Sequence, residues 1–343
     1  MSLLPISNWP QGQLVKLKHH SQRLKGNVLG QNPDLEHDVY LPPSYALSTK
    51  KRYPVLVCLA AYTNAGPGQV AWRNHGETLP QRINRLIGEG SMGEAIVVFP
   101  NAYNALGGNQ YVNSSTVGAW ADIISDELLA GVDKEYRTLG EGARAVFGKS
   151  SGGFGAIHLA ITQPGRWQAV ASHAGDCGFQ HVCLPEFANA CLVFERYKYD
   201  LQKFVKQFWR RKKTDYNEFH ALMILCLAAS YDPQPSEPLG LRLPFSPYTC
   251  ELDETAWQQW LQFDPLHQTD KQLQSLSQLQ GFWLDVGNRD QYHIQFGTRQ
   301  FKNRLDKLDI AHHFDEFEGN HSGIDWRLNE SLPFLYKKTM QNL

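Results

Sequence analysis

Residues 143–157 read A-R-A-V-F-G-K-S-S-G-G-F-G-A-I, and the fold turns on how this stretch is read. Ala143 to Phe147 is short, apolar and suited to a buried strand. Ala156, Ile157, Leu159, Ala160 and Ile161 suit a buried helix. Between them lies Gly148-Lys149-Ser150-Ser151-Gly152, a G-x-S-x-G sequence. A serine on a sharp strand-to-helix turn takes a strained backbone conformation, and its flanking positions must be small because a Cβ there would strike the strand or the helix. Such a turn lifts the Ser150 hydroxyl clear of the sheet. It also aims the helix start, with free N–H groups and a positive dipole end, at any oxyanion formed beside it. Ser150 is the leading candidate for a nucleophile.

A phosphate-cradling loop competes for the same residues. Ala143-x-x-x-x-Gly148-Lys149-Ser150 matches a relaxed P-loop pattern. That pattern needs its variable residues in a loop after the strand, whereas Arg144 to Phe147 read as the strand itself. It also needs a helix from the lysine, and Gly152, Gly153 and Gly155 follow it. The nucleophile turn is the better reading.

With 343 residues the chain can bury a large core, either as two domains or as one α/β domain with an insertion. Its 33 Lys and Arg balance 34 Asp and Glu, so nothing points to a nucleic-acid or acidic-membrane partner. The main basic run, Trp209 to Lys213, reads as a solvated helix face. The first ten residues carry no export signal and no run reaches the length of a membrane span. The six cysteines show no C-x-x-C spacing and read as free thiols in a reducing compartment, with a bridge among Cys177, Cys183, Cys191 and Cys226 as the alternative; the expected location is the cytoplasm.

Outward from the central stretch, apolar runs at Tyr53–Leu59, Ala95–Phe99, Gln168–Ser172, Phe282–Val286 and His312–Phe317 predict strands, preceded by an entry hairpin near Gln13–His19 and Leu35–Leu41. Helices are expected at Glu77–Gly88, Trp120–Tyr136, Ile294–Leu308 and Ile324–Met340. The alternation predicts a mostly parallel sheet covered on both faces. It breaks between about Gly175 and Leu279, where helices are expected at Glu195–Lys212, at Glu218–Ala229, around Trp257 and Trp260, and at Gln272–Gln280. We read residues 1–174 and 280–343 as two parts of one core, and 175–279 as a helical lid inserted where active-site loops belong; a surface insertion with a purely packing role is the alternative. Phe194, Tyr197, Tyr199, Phe208, Trp209, Phe245 and Tyr248 either line an apolar pocket there or form the core of the lid.

A serine nucleophile needs a general base, and the base needs a carboxylate to orient it. On this type of sheet acid and histidine follow the serine, each after a late strand. Asp290 follows the strand Phe282–Val286, and His321 follows His312–Phe317 within Gly319-Asn320-His321-Ser322-Gly323. The rival carboxylates are Asp285, inside a strand, and Asp325, at a helix start. The rival histidines are His293, on a helix, and His173, which precedes the acid. Oxyanion donors are expected from the Ser151 N–H and from the loop after Leu59, at Tyr62 or Ala61. No metal-ligand spacing is present and no cofactor is expected; His312 and His313 point to opposite faces of their strand.

Four segments resemble the α/β-hydrolase superfamily and, within it, the esterase D-like, or putative esterase, family. They are Trp120 to Leu128 followed by Val132 to Thr138, Gly148 to Ala156, Asp285 to Tyr292, and Gly319 to His321. The resemblance covers roughly residues 35–175 and 281–335. It implies an α/β-hydrolase fold, a catalytic triad of Ser150, Asp290 and His321, and a small-molecule ester as substrate. The chain departs from the family pattern in reading Ala60-Ala61-Tyr62 where His-Gly is usual, and in carrying Lys149 before the serine. The expected activity is carboxylic ester hydrolysis. An acyltransferase with the same triad, and a binding protein on a hydrolase fold, are the alternatives. The oligomeric state is not set by any feature of the sequence.

Overall fold

The computed structural model describes residues 9–213 and 215–341; most of the N-terminal stretch read for an export signal lies outside them. Eight strands form one sheet: β1 (Gln13–His20), β2 (Asp34–Leu41), β3 (Val55–Leu59), β4 (Ile96–Phe99), β5 (Arg144–Lys149), β6 (Ala169–His173), β7 (Gly281–Gly287) and β8 (His313–Phe317). Their order is β1-β2-β4-β3-β5-β6-β7-β8. The β1–β2 and β2–β4 pairs are antiparallel and all the others are parallel. This mostly parallel sheet flanked by helices is the α/β-hydrolase architecture expected above.

Proline sets two of the strand ends. Pro42 closes β2 after Leu41, and Pro54, which has no N–H to donate, delays β3 to Val55. Tyr53, expected within the strand, joins only through an isolated bridge to Thr138. Every residue of β3, β4 and β7 is buried, as central strands covered on both faces require. The edge strand β8 carries Asp315 and Glu316 in its middle and stays partly exposed.

Helices pack on both faces. Trp120–Asp122, Ile123–Leu128 and Leu129–Glu135 form one continuous helix whose middle turn is π-helical. It shares a face with Ser151–Thr162 and with Phe301 and Leu305 of Ile294–Lys307. Leu79–Gly88 and Leu328–Thr339 cover the other face.

The segment between β6 and β7 is helical, but not in the pieces expected. The predicted helix over Glu195–Lys212 is broken. One helix ends at Arg196, Lys198 and Tyr199 take φ of 57° and 63°, and Asp200 caps a new helix, Leu201–Phe208, by accepting from the Lys203 N–H. Residues 272–280 divide between a short helix, Asp270–Leu273, and a 3-10 segment, Gln274–Gln278. Tyr216–Tyr231 and Glu254–Leu261 complete the segment. Phe194, Tyr197, Phe208 and Phe245 are buried in its own core, while Tyr248 is exposed.

The C-terminal helices are tied to the sheet by Arg327. Its guanidinium donates from Nε to Asp285 (3.0 Å), reaches Asp315, and lies over the Trp283, Phe317 and Trp326 rings. Both Arg327 and Asp285 are buried, so neither charge has water as an alternative partner. Arg327→Met is expected to lower unfolding stability by about 3–5 kcal/mol, because it leaves Asp285 short of its cation. Urea denaturation measures this, and a loss below about 1 kcal/mol would contradict it.

Candidate active site

The strand order places one crevice in particular. From β3 the chain crosses to β4 on one side, whereas from β5 it proceeds to β6 on the other. The carboxyl ends of β3 and β5 therefore flank a topological switch point, where side chains of loops leaving in opposite directions meet an open cleft. The loop after Leu59 and the turn at Ser150 both lie there.

Ser150 has φ 55° and ψ −127°, a conformation seldom adopted by residues with a side chain. Its N–H donates to the His173 carbonyl (2.9 Å), and its own carbonyl accepts from the Phe154 N–H (2.8 Å). A Cβ on Gly148 would fall 2.5 Å from the Gly152 backbone, and one on Gly152 would fall 2.2 Å from the Leu59 carbonyl oxygen. The two glycines of the motif are thus demanded by close approach of backbone to backbone.

Ser150 and His321 line the same cavity, of about 370 Å³, together with Ser151 and Tyr62. His321 Nδ1 donates to Asp290 Oδ2 (2.7 Å), which leaves Nε2 as the acceptor. Asp290 is buried, and its second oxygen accepts from the Tyr292 N–H (2.9 Å). The Tyr292 ring meets the imidazole edge-on at 4.9 Å, and the His321 N–H donates to Gln291 (3.0 Å), so ring and backbone are both held.

Among the described residues the Ser151 and Tyr62 N–H groups have no acceptor. Two buried residues from the loop after β4, unnoticed in the sequence, steady this region. Tyr111 donates its hydroxyl to the Ala60 carbonyl (2.7 Å), and Gln110 donates to Ser151 Oγ (2.9 Å). Neither lies in a motif, and only the fold brings them here.

Each rival residue is engaged away from Ser150. His173 Nδ1 donates to Asp285 (2.8 Å), its Nε2 meets Ser331 Oγ (3.0 Å), and all three are buried. Burial would push the Asp285 carboxyl up, but His173, Trp283 and Arg327 outweigh it and hold the group below its ordinary range. Ser331 has no exposure at all, so no acyl group can reach this second serine–histidine–aspartate set. Asp325 pairs with Arg73. His293 caps the Ile294–Lys307 helix in a left-handed conformation. Among the described residues no group of His, Cys, Asp and Glu is arranged to hold a metal, and no helix is long and apolar enough to cross a membrane.

The cavity wall differs from the aromatic set expected. Tyr216, Phe219, Met223 and Tyr292 line it, and none of the seven aromatics singled out in the sequence does. His220 lines it too, with Nδ1 donating to Glu186 (2.9 Å). Asp176, three residues past β6, is half-buried in the cavity and has no hydrogen-bond partner among the described residues. Burial, reinforced by Asp290 and Asp264, pushes its carboxyl up to about 7. Its position after a sheet strand is the signal that sequence reading passed over.

The Asp176 shift has a defined sign. A carboxyl with a raised folded pKa binds more protons folded than unfolded, so its cost to stability appears as pH rises from about 4 to about 7. Asp176→Asn removes that cost. The variant is expected to melt several degrees above the wild type at pH 8, and close to it at pH 4. Calorimetry at the two pH values checks this, and an equal offset at both would contradict it.

The family model described as "Putative esterase" matches residues 29–333 of the chain. A search of curated proteins finds no matching sequence. Among solved structures, a ferulic acid esterase aligns with TM-score 0.61 at 19% identity, over 96% of this chain and 99% of that one. The fluorophosphonate-binding serine hydrolase FphF of Staphylococcus aureus aligns with TM-score 0.59 at 15% identity, over 95% and 99%. An S-formylglutathione hydrolase from Agrobacterium tumefaciens aligns with TM-score 0.59 at 16% identity, over 99% and 100%. Identities this low establish the shared fold. The match over most of the chain establishes the family: the chain belongs to the putative esterases, hydrolases of carboxylic esters on the α/β-hydrolase fold.

Proposed function

We propose that the protein cleaves carboxylic esters through an acyl-enzyme on Ser150, with His321 as general base and acid and Asp290 holding the imidazole. The observation that carries this reading is that Ser150, on its strained turn, and His321, paired through Nδ1 with Asp290, line one cavity. Ser150 Oγ attacks the acyl carbon while His321 Nε2 takes its proton. The oxyanion that forms accepts from the Ser151 and Tyr62 N–H groups. His321 then protonates the leaving alcohol. Water, deprotonated by the same nitrogen, releases the acid and restores the serine.

The helices between β6 and β7 act as a lid in this scheme. Residues 175–279 supply Phe219, Met223 and Leu227 to the cavity and, with Tyr62 and Tyr292, give it a largely apolar wall. That wall favours an apolar acyl or aryl group. The six cysteines are all free, which is in keeping with a reducing, cytoplasmic setting.

Ser150→Ala is expected to lower kcat/KM on 4-nitrophenyl esters by at least about 10⁴-fold, and Asp290→Asn by a comparable factor through the wrong imidazole tautomer. A chain-length and aryl-ester panel run on both variants makes the measurement. Turnover surviving Ser150→Ala within ten-fold (~1.4 kcal/mol) would remove the nucleophile from the scheme.

A further inference from the structure

A second cavity, of about 240 Å³, lies against the first, and Ala61 and Lys149 line both. Its character is different. Arg73 and Arg82 join Lys149 in its wall, opposed by Glu77 and Asp325. Each of these charges has a partner except one. Arg73 pairs with Asp325, while Arg82 donates to Asn329 and lies 3.9 Å from Glu77. His173, also in the wall, is engaged at both ring nitrogens. The Lys149 ammonium has no hydrogen bond or ion pair with any described residue, although it is half-buried. With Glu77 held mainly by Arg85 behind the wall (2.7 Å), the cavity is net positive, and its one cation unpaired among the described residues, Lys149, sits next to Ser150.

We propose that this cavity is an anion subsite, in which Lys149 takes a carboxylate carried by the ester substrate while the ester itself lies at Ser150. The inference rests on the proposed reaction at Ser150. A single excess charge suits a monoanionic carboxylate better than a phosphate dianion, and a lysine offers it three donors on a flexible stem. Desolvation pushes the Lys149 ammonium below its ordinary pKa, with Asp325 and Asp290 too weakly coupled to restore it. A bound carboxylate supplies what the protein withholds. Cys58, in the same wall, is no rival for the chemistry, because burial pushes its thiol up and keeps it protonated.

Two ester pairs test the subsite and locate the charge. 4-Nitrophenyl hydrogen glutarate against 4-nitrophenyl pentanoate places it on the acyl side. 4-Acetoxybenzoate against its methyl ester places it on the alcohol side. In one of the pairs the charged ester is expected to have the lower KM, by about ten-fold or more. Lys149→Met is expected to abolish that preference, and Lys149→Arg, which keeps the charge, to retain most of it. Calorimetric titration of the Ser150→Ala protein with monomethyl glutarate and with 4-acetoxybenzoate reads binding without turnover, and one of them is expected to bind in a Lys149-dependent manner. Equal KM values in both pairs, a loss in Lys149→Met shared by charged and neutral esters, or no binding of either anion would overturn the subsite. Absence of turnover on all four esters would instead count against the reaction at Ser150, with the titration still deciding the subsite.

Discussion

A left-handed serine between a strand and a helix is costly, and the site is built around that cost. A residue held in a sparsely populated backbone region carries about 1–3 kcal/mol of strain, which the surrounding structure must impose. Here the imposing contacts are the two glycines, each packed backbone to backbone, and the bond from the Ser150 N–H to the His173 carbonyl. The parallel register of β3, β5 and β6 fixes those contacts, since Leu59 pairs with Gly148 and Gly148 with Ser172. The same register sets the Ala61–Tyr62 loop beside the turn. A hydroxyl, a helix start and two free amides thus converge because three strands end together.

Charge is distributed unevenly around this turn. The buried ion pairs that hold the C-terminal helix to the sheet are saturated: Asp285 receives His173, Trp283 and Arg327. In the two cavities the opposite holds: the side chains of Asp176 and Lys149 have no hydrogen-bonded partner among the described residues. Unpaired polar groups are expensive to keep half-buried, and a protein selected for stability alone would replace them. They lie on either side of Ser150, where the proposed reaction would give a substrate polar groups to meet besides apolar surface.

Much of this was legible in the sequence, for physical reasons. Central parallel strands are buried on both faces, so they stand out as apolar runs. A strained turn admits few residue types, so its glycines and serine survive as a pattern. Asp290 and His321 were singled out because an acid and a base are expected in loops after late strands on this fold, and the structure brings the two side chains within hydrogen-bond distance. What was hidden depends on long-range packing. His173 and Asp285 are 112 residues apart, and nothing local says that the rivals neutralise each other. The aromatics between β6 and β7 are as hydrophobic inward as outward, so composition could not separate core from cavity wall. The break at Lys198–Tyr199 could have been suspected from Asp200, a good N-cap, but the helical run on either side masked it.

Every step of the proposed cleavage depends on Ser150 being an activated nucleophile. The most direct measurement is intact-protein mass after incubation with a fluorophosphonate, which phosphonylates only a serine whose proton is being removed. One adduct per chain is expected, on Ser150 by peptide mapping, absent from Ser150→Ala and strongly slowed in His321→Ala. No adduct on the native protein, or an adduct that persists in Ser150→Ala, would contradict it.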